Sequence, residues 1–128
     1  MAKKHVLLLE TDSIQWQPFN EVFPGDAQAG KWAKALSRDP ETGALTCLIK
    51  FEKGWSDNRD VYHRCGEEVF IVSGRFKIGD RVMEAGAYAY RPPLTLHGAA
   101  EALEDTIMYI SWDGDGSFFT DSGYEYVE

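Results

Sequence analysis

The chain has 128 residues, 44% of them hydrophobic and 27% charged, which fits one globular domain over residues 1–128 and leaves no room for a second core. Thirteen basic against 21 acidic residues give a formal net charge of −8, and phosphate backbones repel so acidic a surface, so nucleic acid is not an expected partner. No apolar stretch approaches the ~20 residues of a membrane helix. The four apolar residues Val6 to Leu9 are too few for a secretory core, and Cys47 and Cys65 alone are no disulfide framework, so a cytoplasmic protein with free thiols and no membrane contact is expected.

Apolar residues at helical spacing are nearly absent, while short alternating runs bounded by Gly, Pro and Asp recur. Lys4 to Leu9 reads as a first strand, Ser13 to Asp26 as a loop-rich stretch, and Trp32 to Leu36 as a strand. Arg38 to Gly43 is a turn, with Pro40 pre-setting φ and Gly43 supplying a positive one. Ala44 to Phe51 alternates, placing Leu45, Cys47, Ile49 and Phe51 on one face. Gly54 to Asp60 is a polar loop, and Glu67 to Ser73 is a strand rich in Val, Phe and Ile that Gly74 ends. Arg75 to Ile78 and Arg81 to Glu84 flank Gly79-Asp80 as a hairpin. Ala87 to Arg91 is a strand that stops at Pro92-Pro93, because proline cannot donate to a ladder. Thr106 to Trp112 is the last clear strand, and the tail from Asp113 either caps the fold or pairs at an edge. Seven or eight short strands at this spacing point to an all-β sandwich or barrel whose strand order stays open.

Chemistry concentrates in two segments, Tyr62 to Gly74 and Gly86 to His97. His63 ends one short element, Gly66 makes a tight turn, and Glu67 opens a strand. Glu67, Val69 and Ile71 share one face, otherwise apolar, so Glu67 points into the core. A carboxylate there is costly unless it is paired or bound to metal. His97 lies just beyond the rigid Pro92-Pro93 corner. Two imidazoles and one carboxylate suit iron(II), zinc, manganese or nickel.

These segments resemble the two motifs of the cupin superfamily, and the likeness extends through the flanking strands over most of the chain. In the first motif His63, Glu67 and Gly74 match the second His, the Glu and the closing Gly. In the second, Gly86, Pro92 and His97 match, with Leu94 where the family usually has Gly. The run Glu67 to Gly74 and the Arg91-Pro92-Pro93 step are similar to small RmlC-like cupins, among them anti-sigma-factor sensor domains and diketone-cleaving dioxygenases. The chain departs from the pattern at Val61, which stands where the first His is usual. Read from His63 as the first His, Cys65 takes the second position and the gap to the Glu shortens. The former alignment keeps His63, Glu67 and Gly74 in step and is preferred.

The resemblance implies a double-stranded β-helix, or jelly-roll, barrel with one divalent transition metal held by His63, Glu67 and His97, iron foremost. It also implies a small-molecule ligand and a homodimer formed through an edge strand. A metal-free pocket whose polar groups bond one another is the alternative, as is Glu68 in place of Glu67 if the register slips by one. The expected activity is a metal-dependent dioxygenase of small carbonyl compounds such as diketones. A non-catalytic sensor of metal or small ligands and a sugar isomerase or epimerase are the alternatives. Pocket candidates are Val61, Tyr62, Cys65, Arg91 and Tyr109. Cys65 is either a soft ligand or a turn thiol, and Arg91 either grips an anionic or carbonyl group or makes a salt bridge. Cys47 and the four tryptophans, Trp16, Trp32, Trp55 and Trp112, read as core or interface residues.

Overall fold

A computed structural model describes residues 2–23 and 29–120. Among them are twelve strands: β1 (Gln17–Pro18), β2 (Lys31–Arg38), β3 (Leu45–Phe51), β4 (Ser56–Asp57), β5 (Val61–His63), β6 (Glu67–Ser73), β7 (Arg75–Ile78), β8 (Arg81–Glu84), β9 (Tyr88–Arg91), β10 (Ala100–Ala102), β11 (Thr106–Trp112) and β12 (Phe118–Thr120). One turn of helix, Phe19–Val22, follows β1. No helix of the described residues is long and apolar enough to cross a membrane.

Two antiparallel sheets form the barrel. The larger runs β1-β2-β3-β11-β6-β9 and the smaller β4-β10-β7-β8, with β5 and β12 as a separate pair. Alternation sorts side chains by face. Along β3, Leu45, Cys47, Ile49 and Phe51 are buried and the residues between them are not. Val69 and Ile71 of β6 and Met108, Ile110 and Trp112 of β11 continue the same interior face. Phe76 and Ala102 of the smaller sheet close the core from the other side. The closing glycine of the first motif, Gly74, sits at φ 94°, and a Cβ there would run into the Asp105 carbonyl and Thr106. Leu94, where the resembled motif has Gly, holds φ 67° despite its side chain.

Several expectations are corrected. Residues 4–9 form no strand, and Leu7 and Leu8 are 89% and 77% exposed; a short apolar run with no partner strand has nothing to pair with. The stretch from Ser13 holds β1 and the helical turn, while Pro24, Gly25 and Asp26 lie outside the described residues. The strand expected over Trp32 to Leu36 is longer, Lys31–Arg38. Besides β1, three strands were not expected: β4, inside the polar loop, β5 and β10, each two or three residues long and too short to show a period. The tail pairs as far as Thr120, with Phe118 opposite His63; residues 121–128 lie outside the described ones.

Candidate metal centre

The site is built where β6 lies between its two neighbours. Register sets Glu67 opposite Arg91 of β9 on one side and Trp112 of β11 on the other. Residues directly opposite in antiparallel strands lie ~5 Å apart and share a face, so all three side chains enter the barrel together. Arg91 Nη1 donates to Glu67 Oε1 at 2.7 Å, and Trp112 Nε1 donates to Glu67 Oε2 at 2.8 Å.

The histidines arrive from outside that sheet. His63 ends β5. The loop carrying His97 is tied to the same strand by reciprocal backbone bonds between Val61 and His97, each 2.8 Å, and by Leu94 N–H donating to the His63 carbonyl at 2.8 Å. The Gly66 turn returns the chain to β6, its N–H held by Asp113 Oδ1 at 2.8 Å. His63 Nε2 thereby lies 3.0 Å from Glu67 Oε2, and His97 Nε2 3.8 Å from Glu67 Oε1.

Hydrogen bonding selects both tautomers. His63 Nδ1 faces the Gly116 carbonyl at 2.8 Å and His97 Nδ1 faces the Thr95 carbonyl at 3.2 Å. A carbonyl only accepts, so each Nδ1 carries the proton. In a neutral ring Nε2 is then a bare lone pair, and both lone pairs sit beside one carboxylate. Acceptors 3.0 Å apart require a proton or a cation between them. The ligand-type atoms of His63, Glu67 and His97 all lie within 4.8 Å of one another, and these three side chains could hold one divalent ion with their outer nitrogens fixed by the backbone. Burial, only partly opposed by the charge of Glu67, holds His97 below its ordinary range, which favours the neutral form that ligates. For Glu67 burial pushes the other way, but without an ion a proton on His63 Nε2 donates to it, and that hydrogen bond, with the charges of the protonated His63 and His97 and of Arg91, brings it down to about 2, so it is a carboxylate.

The centre opens into a cavity of about 120 Å³ between the sheets, well above the ~10–15 Å³ that one water needs. Its walls are mostly apolar, with Ile49, Val69, Phe76, Met108 and Ile110 among them.

The pocket candidates separate by strand parity. Val61 lines the cavity beside His63, and Arg91 points inward; of the two readings of Arg91, the pairing partner is the interior Glu67. Tyr62, between Val61 and His63, turns the other way and stacks on Phe119 at 5.4 Å, so it is no pocket residue. Tyr109 is also corrected: it alternates with the buried Met108 and Ile110 and is 37% exposed on the outer face. Cys65 packs in the hydrophobic core instead of lining the cavity, burial raises its thiol, and it stands outside the cluster of ligand-type atoms formed by His63, Glu67 and His97. Glu68 faces outward and accepts from the Tyr88 hydroxyl at 2.8 Å, so the register keeps Glu67 inside. Three polar residues of the cavity were not expected: Lys31, Asp57 and Arg59.

The family model described as ChrR Cupin-like domain matches residues 4–115. No curated protein matches the chain. Among solved structures, the chain is similar to a candidate acetylacetone dioxygenase from Methylibium petroleiphilum, with 22% identity over 99% of this chain and 90% of that one and a TM-score of 0.76. It is similar to an RmlC-like cupin protein from Ralstonia eutropha, with 21% identity, coverage of 96% and 78% and a TM-score of 0.73. It is also similar to an acetylacetone dioxygenase from Acinetobacter johnsonii, with 19% identity, coverage of 97% and 83% and a TM-score of 0.71. At these identities the likeness establishes the fold, a cupin jelly roll.

Proposed function

The chain belongs to the ChrR Cupin-like domain family, and from that footing we propose that it is a metal-dependent dioxygenase of small carbonyl compounds such as diketones. His63, Glu67 and His97 hold one divalent ion, with iron favoured by two imidazoles and one carboxylate that leave positions open. The observation that carries the reading is the pair of tautomer-fixed Nε2 atoms set beside one buried carboxylate. That two of the structural neighbours are described as acetylacetone dioxygenases supports the choice of reaction.

A bound ferrous ion supplies Lewis acidity towards a substrate oxygen and the one-electron chemistry that dioxygen needs. The chain's own residues do the rest. The Gly116 and Thr95 carbonyls orient the imidazoles. Arg91 and Trp112 hold the Glu67 carboxylate in one rotamer. The apolar walls exclude water and fit the methyl groups of a small ketone.

Val61 in the position of a third histidine favours a second reading, a non-turnover module that binds metal or a small ligand. Oxygen uptake separates the two. Iron-loaded protein given acetylacetone consumes oxygen if it is a dioxygenase, and His97→Ala does not. No uptake by iron-replete wild type over a panel of diketones overturns the enzymatic reading and leaves the binding module.

A further inference from the structure

One charge in the cavity has no role in the centre described above. Lys31 opens β2 at the end of the sheet far from Glu67 along the strands, opposite Phe51. Its Nζ lies 3.9 Å from the centroid of the Phe19 ring and 5.3 Å from those of Phe51 and Trp55. Three aromatic faces attract a cation but give its N–H groups no oxygen to bond. The contrast within one strand is direct: Lys34, three residues on, donates to the Thr11 carbonyl at 2.9 Å. Among the described residues no oxygen takes a hydrogen bond from Lys31. Burial, opposed first by the charge of Asp57 and then by that of Glu67, brings its ammonium down to about 8, as for a cation short of partners.

The other charges of the cavity are paired. Arg59 donates two parallel hydrogen bonds to Asp57, Nε to Oδ1 at 3.0 Å and Nη2 to Oδ2 at 2.8 Å. Glu67 pairs with Arg91. Among the described residues, three cations, Lys31, Arg59 and Arg91, thus face two anions, Asp57 and Glu67, and Lys31 is the surplus among them. Lys31 is half-buried, and an ammonium drawn partly out of water is costly until a counter-charge reaches it; a small anion entering the apolar cavity would supply one.

We propose that Lys31 is the docking point for an anionic oxygen and that the cavity's ligand is a small organic monoanion, a carboxylate or enolate head on a compact apolar body. The inference rests on the proposed function for the reaction that follows binding and refines it by giving the substrate a charge. A neutral ligand of the same shape leaves the ammonium without a partner, so charge and not shape sets the preference.

The test is calorimetric titration of chelator-treated protein at pH 7 with 3-methylbutanoate and with its neutral isostere 3-methylbutanamide. A charge-assisted hydrogen bond predicts at least about tenfold tighter binding of the acid. Lys31→Met brings the two within about threefold of each other, while Lys31→Arg retains the preference and far-UV circular dichroism checks that both variants fold. Equal binding of acid and amide by the wild type, binding of neither at millimolar concentration, or a preference that survives Lys31→Met overturns the proposal; the first two need no variant. Metal retention is measured on the same samples. Acid binding without metal retention sinks the dioxygenase reading alone, and metal retention without an acid preference sinks the Lys31 proposal alone.

Discussion

Glu67→Gln removes one charge from the middle of the centre and almost no volume, so its effect is electrostatic. In metal-free protein the Glu67 carboxyl lies at about 2 against an ordinary 4.5. Burial alone would raise it; the His63 hydrogen bond and the charges of His63, His97 and Arg91 outweigh that. A folded-state value below the unfolded one means that the carboxylate stabilises the fold above about pH 4.5, and that this stability is lost as pH falls towards 2. At 1.36 kcal/mol per unit the gap is worth about 3 kcal/mol. An independent estimate agrees: glutamine leaves the Arg91 guanidinium, 13% exposed, without its counter-ion, and breaking a buried pair costs about 3–5 kcal/mol. Urea titrations of chelator-treated wild type and variant, followed by tryptophan fluorescence, read the difference directly. The variant is expected to be about 3 kcal/mol less stable at pH 7, with the gap closing between pH 4.5 and 2. A gap below about 1 kcal/mol at pH 7, or one that does not change with pH, refutes the claim that Glu67 is the charged hub of the site.

Two further substitutions test the geometry. Val61 lines the cavity from the strand that also carries His63, so Val61→His adds a donor and tightens metal binding at least about tenfold in chelator competition, the scale of a metal-site partner; unchanged affinity would mean that the side chain at 61 does not reach the ion. Leu94 holds φ 67°, where a side chain costs about 1–2 kcal/mol, so Leu94→Gly raises the melting temperature by a few degrees in calorimetry; a lower melting temperature would show that the Leu94 side chain contributes more than its backbone costs.

The strands that were legible are those whose alternation runs four residues or more. Along β3 the buried row Leu45, Cys47, Ile49 and Phe51 follows from parity alone. Parity could also have placed Tyr109, which alternates with Met108, and Tyr62, which lies between Val61 and His63. What parity cannot give is register. The row Arg91–Glu67–Trp112 joins residues far apart in sequence, and nothing local marks Trp112 as a donor to the Glu67 carboxylate. Lys31 was missed because a strand taken to start at Trp32 excludes it. The apolar run Val6 to Leu9 misled in the opposite sense: it has the composition of a strand, but a strand exists only where another offers its ladder.

The measurement that tests the central claim most directly is metal content by elemental mass spectrometry, on untagged wild type purified without added metal and on His63→Ala. The account predicts close to one divalent ion per chain in the wild type and loss of that ion in the variant, since His63 Nε2 lies 3.0 Å from Glu67 and His97 alone cannot complete the site. A wild type that retains no ion after incubation with iron, zinc, manganese or nickel, or a variant that retains it undiminished, would contradict the assignment of His63, Glu67 and His97 as a metal centre.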